Sequence, residues 1–314
     1  MHKIIFYIWY KVPKILLIPI LPLSVLYFFI ILLRKYLLTH VITQYKSNSK
    51  VIIIGNLNVG GSGKTPFTIW LAQYLIDKGR KIAIVSSGYG SSVTSPVQID
   101  ITSKPESVGD EAILLFEKTS SLVVSSNNRV SSTKYIDSME KNKIDYIIHD
   151  DGLQHYHLFR DYEIVVSRIK KERNNFFIPC GPIREPAILH SDANYVFSNN
   201  MKNNVPGFYT KISRVRSAIG NELFKLTDIR FRKATLMTAI ASDINLVNEL
   251  QTNNIEVSQL SFEDHYQFKQ RDIPDINKPI LVTEKDFTKL RDFNLKNIYI
   301  LEQKIFPNDK LMKL

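Results

Sequence analysis

A glycine-rich segment that ends in lysine and threonine is the clearest chemical feature of this 314-residue chain. Backbone N–H groups of such a turn bind phosphate oxygens, and the dipole of a following helix adds positive potential. We expect Lys64 to reach the β- and γ-phosphates of a nucleotide and the Thr65 hydroxyl to bind Mg²⁺. Asn58 stands where the usual P-loop pattern has glycine, and asparagine tolerates positive φ. The predicted nucleotide-binding residues are Asn58, Val59, Gly60, Gly61, Ser62, Gly63, Lys64 and Thr65.

Two aspartates at the end of an apolar run are candidate magnesium ligands. Asp150 and Asp151 follow the run Ile144–His149. A strand-end carboxylate downstream of a phosphate-binding loop is where a nucleotide enzyme holds its metal. Acidic residues are also common turn formers, so spacing alone leaves both interpretations open. Together with Thr65 they form the predicted metal set.

Other polar residues are ambiguous by spacing alone. Asp110 begins a predicted helix, Asp110–Lys118, where an acidic side chain also stabilises the helix dipole. His265 lies in the segment Phe-Glu-Asp-His-Tyr and fits an ordinary surface histidine equally well. The single cysteine, Cys180, excludes an intramolecular disulfide and a cysteine-cluster metal site, and we expect it to be a buried small residue.

Apolar runs alternate between strand and helix patterns. Val51–Ile54 predicts a buried strand before the glycine-rich loop, and Thr68–Lys78 predicts a helix after it. Such alternation is typical of an α/β fold with a doubly wound, mostly parallel sheet. Further strands are predicted at Lys81–Val85, Leu122–Ser125, Ile144–His149, Asp161–Val166 and Tyr195–Ser198.

The pattern changes after Pro206. Phe208–Val215 and Leu226–Phe231 are predicted to be extended segments, and a new strand–helix alternation follows them. We therefore expect a P-loop α/β domain at residues 37–219 and a smaller α/β domain at residues 220–314. The second domain is predicted to contain strands Ala234–Ile240, Ile280–Thr283 and Ile298–Leu301, with helices at Asn245–Gln251 and near Phe287–Arg291.

The N-terminus is strongly apolar. Between Ile15 and Leu33 no residue is charged, and 15 of the 19 are Ile, Leu, Val or Phe. Their side chains favour membrane insertion by about 6 kcal/mol, whereas Pro19 and Pro22 would each cost about 3 kcal/mol inside a helix in water. A cleaved signal peptide is disfavoured, because no small-residue cleavage site follows the apolar run. Residues 1–36 are predicted to be a membrane anchor helix that spans the bilayer or lies in its interface, with a buried core helix as the alternative.

The charge balance favours an anionic partner. Lys and Arg number 41 and Asp and Glu 30, which gives a formal net charge of +11. Nucleic acid, a phosphorylated substrate or an acidic membrane would all suit this charge. A nucleic-acid binder would not need the apolar N-terminus, and aromatic–basic motifs are missing, so no nucleic-acid partner is expected.

Several motifs together resemble the tetraacyldisaccharide 4′-kinases, the lipid A 4′-kinases of Gram-negative bacteria, and the resemblance covers nearly the whole chain. Two positions depart from the family pattern. Ser87 replaces an arginine, which removes a cation beside the phosphate region, and Ala112 replaces a proline. The shared motifs are Leu21–Tyr27, Gly55–Asn56 with Gly60–Pro66, Val108–Glu111, Asp150–Tyr156, Gly181–Pro186, Phe262–His265 and Thr283–Asp286.

The resemblance implies transfer of a phosphoryl group from ATP, with Mg²⁺, to the 4′-hydroxyl of an acylated glucosamine disaccharide 1-phosphate lipid. It also implies two α/β/α lobes joined by extended hinge strands, with a membrane-associated N-terminal helix. Asp110 would be the general base and His265 would orient or assist it. The enzyme would lie at the cytoplasmic face of the bacterial inner membrane, with no obligate protein partner. The competing hypothesis is a membrane-tethered P-loop ATPase that switches a partner protein.

Overall fold

In this computed structural model the strands form one continuous 13-stranded sheet. The structure describes residues 2–139, 143–168, 174–199, 204–240, 243–274, 277–293 and 295–314. In spatial order the strands run β11-β10-β12-β13-β8-β7-β6-β1-β5-β2-β4-β3, and β9 pairs with β8. Their bounds are β1 Lys50–Gly55, β2 Ile82–Ser86, β3 Val97–Gln98, β4 Leu122–Ser125, β5 Tyr146–His149, β6 Tyr162–Arg168, β7 Asn194–Ser198, β8 Gly207–Ser217, β9 Leu223–Phe224, β10 Lys233–Thr238, β11 Glu256–Ser261, β12 Ile280–Thr283 and β13 Ile298–Pro307.

Helices cover both faces of this sheet. Successive residues of a strand point to opposite faces, and β2 shows the consequence. Ile82 and Ile84 pack in one core cluster with α3 and α5, whereas Ala83 and Val85 pack in another with Ile136 of α6. The predicted doubly wound, mostly parallel fold class is confirmed. The α-helices are α1 His2–Lys11, α2 Leu21–Tyr36, α3 Lys64–Asp77, α4 Pro105–Val108, α5 Asp110–Thr119, α6 Arg129–Asp137, α7 Ile244–Thr252 and α8 Glu284–Phe287.

Two long strands, β8 and β13, join an N-terminal block of strands (β1 to β7) to a C-terminal block (β10 to β12). They pair antiparallel with each other, while β8 pairs parallel with β7 and β13 pairs parallel with β12. They therefore correspond to the extended hinge strands that the resemblance implied. The boundary at 219/220 falls just after β8 and stays a prediction. Ile305 of β13 and Leu311 beyond it pack in the core of the N-terminal block.

One predicted extended segment is wrong. Leu226–Phe231 contains no strand, and Leu226–Asp228 forms a short 3-10 helix instead. Asp228 N donates to Lys225 O at 3.0 Å, and Thr227 Oγ1 donates to Asp228 Oδ1 at 2.8 Å. Short polar side chains that bond locally favour turns over strands, and this pair outweighs the apolar residues around it.

The apolar N-terminus forms α1, a 3-10 helix at Lys14–Ile20, α2 and a π-helical turn at Leu37–Val41. Among the described residues, one helical stretch, Lys14–Val41, is long and apolar enough to cross a membrane by length and composition, with mean hydropathy 2.8 over its most apolar window. Pro22 lies in the first turn of α2, where a missing N–H breaks no helical hydrogen bond. This feature indicates membrane association.

The inner side of the N-terminal helices rests on residues 174–189, which we call the docking segment. Trp9 Nε1 donates to Pro179 O at 2.8 Å, and Ser24 Oγ donates to Phe177 O at 2.8 Å. Cys180, fully buried as predicted, donates its N–H to Ser24 Oγ at 3.2 Å. Tyr27 OH donates to Arg184 O at 3.2 Å. The N-terminal helices are therefore fixed to the body of the protein largely through the backbone of this segment, with a further bond from Arg34 to Gln154 O at 3.1 Å.

Candidate active site

The glycine-rich loop joins β1 to α3, as predicted. The helix begins at Lys64 rather than at Thr68, so Lys64 and Thr65 extend from its first turn, where backbone N–H groups have no helical acceptor. Gly63 caps the helix with φ +89°, and a Cβ there would lie 3.3 Å from the Phe208 ring. Glycine is therefore needed at this position for both conformation and space. The open N–H groups give the turn the geometry of an anion site.

The docking segment supports the loop from the other side. Asn58 forms a β-bridge with Ile183, and Val59 N donates to Pro182 O at 2.8 Å. Ser62 Oγ is buried and makes no hydrogen bond to any residue in the described part of the chain. A buried hydroxyl without a partner is costly unless a ligand supplies one, and a phosphate oxygen would do so here.

Asp150 and Asp151 lie beside the first turn of α3 but in different environments. Thr65 Oγ1 and Thr68 Oγ1 each donate to Asp150 at 2.9 Å. Asp151 has φ +53° and lies 3.6 Å from both Lys64 Nζ and Arg184 NH1. Spacing alone had left both residues as possible turn formers. The structure brings both carboxylates to the loop.

The two carboxyl groups also titrate differently. Burial, reinforced by the negative charge of Glu111, raises the pKa of Asp150 to about 6. Burial acts the same way on Asp151, but Lys64 and Arg184 outweigh it and lower the pKa of that carboxyl. Asp151 is therefore ionised at neutral pH. Carboxylate and hydroxyl oxygens are the ligands that Mg²⁺ prefers, so the predicted set of Thr65, Asp150 and Asp151 fits this ion in its chemistry.

A buried arginine, which the sequence interpretation did not single out, supports the two aspartates. Arg129, 1% exposed, donates to Val85 O at 2.8 Å, to Asp150 O, and to Asp151 O at 3.3 Å. The N-cap Asn128, whose side chain accepts from Ser131 N, marks the start of its helix, α6. An asparagine at this position could have indicated the start of a helix, but it does not predict what Arg129 contacts.

Replacing Arg129 with methionine should lower the free energy of unfolding by about 3 kcal/mol, because three buried carbonyl groups lose charged donors. Thermal or urea unfolding monitored by circular dichroism measures the change. The control is Arg80→Met, because Arg80 is exposed at the end of the α3 turn. Equal unfolding midpoints for the two variants would contradict the role given to Arg129.

Asp110 and His265 meet, although 155 residues separate them. His265 Nδ1 lies 3.1 Å from Asp110 Oδ1. Gly109, with φ +94°, precedes α5, and a Cβ there would lie 3.2 Å from Gly88 Cα, so this close approach requires glycine. His265 itself has φ +62° and its ring packs against Tyr89 at 4.8 Å. Backbone strain of this kind is concentrated at functional sites.

The pair is held in a polar but largely buried environment. Burial favours the neutral form of Asp110, but the hydrogen bond from His265 and the charges of Lys285 and Lys289 hold the pKa of Asp110 well below its usual range. Burial lowers the pKa of His265, and its hydrogen bond to Asp110 more than restores it. Asp110 is therefore ionised across the physiological range, and His265 titrates above its ordinary pKa.

A cavity of about 1330 Å³ is lined by both the glycine-rich loop and His265. Its walls include all eight predicted loop residues, Asp151 and His265, together with Arg184, Lys285 and Glu111. Arg184 belongs to a motif noted in the sequence, but its approach to Asp151 was not predicted. The cavity thus brings the glycine-rich loop and His265, with its partner Asp110, to one space, an arrangement that suits transfer of a phosphoryl group to a second substrate.

Fold and site together are those of a nucleotide-binding α/β enzyme. A sequence model of the family described as Tetraacyldisaccharide-1-P 4′-kinase matches residues 16–314, and the chain belongs to this family. It is 32% identical over 309 residues to the tetraacyldisaccharide 4′-kinase of Pseudoalteromonas translucida, which covers 97% of this chain and 93% of that protein. It is 31% identical to the tetraacyldisaccharide 4′-kinase of Legionella pneumophila strain Corby, covering 92% of this chain and 90% of that one.

A solved structure shows the same fold. The crystal structure of LpxK from Aquifex aeolicus in complex with ATP superposes with a TM-score of 0.79 at 26% sequence identity. The superposition covers 95% of this chain and 97% of that chain. The resemblance stated from the sequence motifs is confirmed, as is the assignment of the chain as a kinase.

Proposed function

We propose that this chain transfers the γ-phosphoryl group of ATP to the 4′-hydroxyl of a tetraacylated glucosamine disaccharide 1-phosphate, a precursor of lipid A. Family membership supports the reaction, and the observation that carries it is the one cavity shared by the glycine-rich loop and His265, whose Nδ1 contacts Asp110. In this proposal residues 37–219 bind the nucleotide, and residues 220–314 supply His265.

The loop binds and neutralises the phosphates. Its N–H groups and Lys64 lie where charge develops on the transferred phosphoryl group, and most catalysis of such a transfer is positioning and charge stabilisation. Thr65, Asp150 and Asp151 would hold Mg²⁺, which supplies further neutralisation of the phosphate oxygens when bound. Arg184, 3.6 Å from Asp151, adds a cation to the wall of the cavity, to which Ser87 contributes none.

Within the acid–base pair we give His265 the contact with substrate. Asp110 is 4% exposed, and its Oδ1 accepts from both Glu111 N and His265. The sequence interpretation made Asp110 the base and His265 its assistant. Burial favours the reverse order, because His265 lines the cavity whereas Asp110 does not, and Nε2 is the ring nitrogen that does not face Asp110. His265 then accepts the proton of the sugar hydroxyl, and Asp110 orients the ring and stabilises its charge.

The deciding experiment supplies purified protein with labelled ATP, Mg²⁺ and the disaccharide 1-phosphate lipid, and analyses the lipid by mass spectrometry. One added phosphate on the lipid, with ATP turnover that depends on the lipid, is the expected result. ATP hydrolysis that ignores the lipid and responds instead to an added protein would favour the membrane-tethered ATPase. Protein without activity in either assay would contradict both.

We further propose that the outer face of α2 binds the cytoplasmic face of the bacterial inner membrane, where the acylated substrate lies. Leu26, Phe29 and Leu33 are 56–59% exposed on this helix. Replacing all three with serine should reduce the fraction bound to anionic vesicles at least about tenfold, since each loses on the order of 1.5 kcal/mol of apolar burial. Co-sedimentation with vesicles measures this fraction.

The melting temperature of this triple variant should stay close to that of the wild type, because more than half of each residue is exposed. Ile101→Ser is the control, since Ile101 is 92% exposed far from α2 in the chain. Unchanged sedimentation of the triple variant would show that membrane binding depends on other surfaces, such as basic patches.

A further inference from the structure

Two lysines that follow β12 converge on Asp110 from the C-terminal block. Lys289 has a completely buried side chain, and its Nζ lies 3.4 Å from Asp110 Oδ2 and 3.6 Å from Asp286 Oδ1. Lys285, on α8, lies 3.9 Å from the same Asp110 oxygen and 3.2 Å from Glu111 Oε1. The two Asp110 oxygens thus have different partners, with His265 at Oδ1 and ammonium groups at Oδ2.

Lys285 also contacts the histidine of the pair. Its Nζ lies 3.3 Å from His265 Nε2 and 3.1 Å from Asp264 Oδ1. An ammonium group only donates hydrogen bonds, so in this contact Nε2 is the acceptor. The ring proton then lies on Nδ1 and is donated to Asp110. Lys285 therefore favours the tautomer with the proton on Nδ1, and a substrate hydroxyl that takes the place of Lys285 at Nε2 can give up its proton there.

Lys289 is held in place by a buried aspartate. Asp286 is 0% exposed and accepts from Thr283 Oγ1 at 2.7 Å and from Ala239 N at 3.1 Å. These bonds tie Asp286 to the ends of β12 and β10. Asp286 in turn fixes the ammonium group of Lys289 against Asp110, so the position of the Asp110 carboxylate depends on the C-terminal block.

Stability alone does not account for this arrangement. Lys289 Nζ and Asp110 Oδ2 are both buried, and neither has a hydrogen-bond partner among the described residues. Burying charges with incomplete hydrogen bonding is expensive, and apolar residues of similar size would commonly stabilise such a position better. Two adjacent ammonium groups would instead stabilise the negative charge of Asp110.

We propose that Lys285 and Lys289 are positioning residues for phosphoryl transfer, which hold Asp110 ionised and keep the Nε2 atom of His265 ready to accept a proton. The proposal rests on the proposed kinase function. It gives a task to the motif Thr283–Asp286, which the nucleotide and metal sites do not use. It also means that the acid–base pair is complete only when the C-terminal block lies against α5.

The test is the pH dependence of kcat. The charged groups around the pair are His265, Lys285 and Lys289 facing Asp110, with Glu111, Asp264 and Asp286 behind them. The positive charge of each lysine disfavours protonation of the groups beside it. Removing either ammonium group should therefore raise the pKa of both Asp110 and His265. The acid limb of log kcat against pH should therefore move to higher pH, by about one unit.

The variants are Lys289→Met, Lys285→Met and Lys285→Arg. Both methionine variants should lower kcat at pH 7 about tenfold and shift the acid limb, with the KM for ATP within twofold of the wild type. Lys285→Arg keeps the charge and should restore the wild-type limb. If Lys289→Met melts below the assay temperature, the comparison of Lys285→Met with Lys285→Arg tests the proposal. A raised KM with an unmoved limb would make Lys285 a binding residue and overturn the proposal.

Lys118→Met is the matched control. Lys118 lies on α5, as Asp110 does, and its ion pairs are with Glu284 of α8 and Glu302 of β13 rather than with Asp110 or His265. Loss of this ion pair should leave the acid limb where it is. An equal shift in Lys118→Met would reduce the two lysines to general contacts between the blocks and overturn the proposal. A wild-type protein that makes no phosphorylated lipid would instead contradict the proposed function.

Discussion

Lys64→Ala should lower kcat at saturating ATP by at least about 100-fold, because a preorganised donor at a developing negative charge contributes roughly 3 kcal/mol to transition-state stabilisation. Lys64 extends from the first turn of α3 into the shared cavity. The fold should survive, since Asp151 keeps Arg184 at 3.6 Å as a second cation. Single-turnover phosphorylation of the lipid measures the chemical step directly.

The matched control for this variant is Lys78→Ala, which removes the same side chain from the other end of α3. Lys78 is exposed and contacts the Tyr74 ring. It should retain wild-type kcat and melting temperature. A Lys64→Ala protein with more than half of wild-type activity would show that the glycine-rich loop does not bind the transferred phosphate.

Asp110→Asn and His265→Ala should each lower kcat by about 100-fold, with little change in the KM for ATP. The double variant should be only slightly worse than the poorer single variant, because residues that act as one catalytic unit are not additive. The 3.1 Å contact between Asp110 Oδ1 and His265 Nδ1 is the physical basis of this expectation. A complete double-mutant cycle in kcat measures the coupling.

His157→Ala is the control for loss of an imidazole, since His157 is exposed. Its kcat should equal that of the wild type. Losses that multiply in the double variant would mean that the two residues act independently. A nearly silent Asp110→Asn would leave Asp110 with the structural role of an acidic residue in the first turn of a helix.

Much of the N-terminal block was predictable because its strands are short β-branched runs that end in turns. β4 has the predicted bounds, as β12 has in the C-terminal block, and β1, β5 and β7 differ by one or two residues at their ends. α6 escaped prediction because its buried face is largely polar: Arg129, Ser132 and Thr133 point inward beside Ile136. Periodicity of apolar residues cannot reveal such a helix.

The candidate site divides in the same way. The loop residues follow from local spacing, because strand, glycines, lysine and helix are contiguous in the chain. The approach of His265 to Asp110 depends on how β8 and β13 join the two blocks, and no local pattern encodes that geometry. Only the family resemblance paired the two residues in advance. Three further cations contact backbone or side chains that are distant in the chain: Arg129, Lys285 and Lys289. Nothing in the sequence around them distinguishes them from ordinary surface cations.

The docking of the N-terminal helices also sets an order of events during synthesis. Ser24 and its acceptor Phe177 are 153 residues apart, and at about 5–20 residues per second the ribosome needs roughly 8 to 30 seconds to make that stretch. Throughout this interval α2 has emerged while the segment that covers its inner side does not yet exist.

The glycine-rich loop also depends on the docking segment for its contacts. Val59 N and the Leu57 carbonyl bond to Pro182 and Arg184, so the loop gains its outer support at the moment when the N-terminal helices gain theirs. A nascent chain that stops before residue 174 therefore carries an exposed apolar helix and an unsupported phosphate-binding turn. Once the docking segment has been made, it can cover the inner side of α2 and support the glycine-rich loop at the same time.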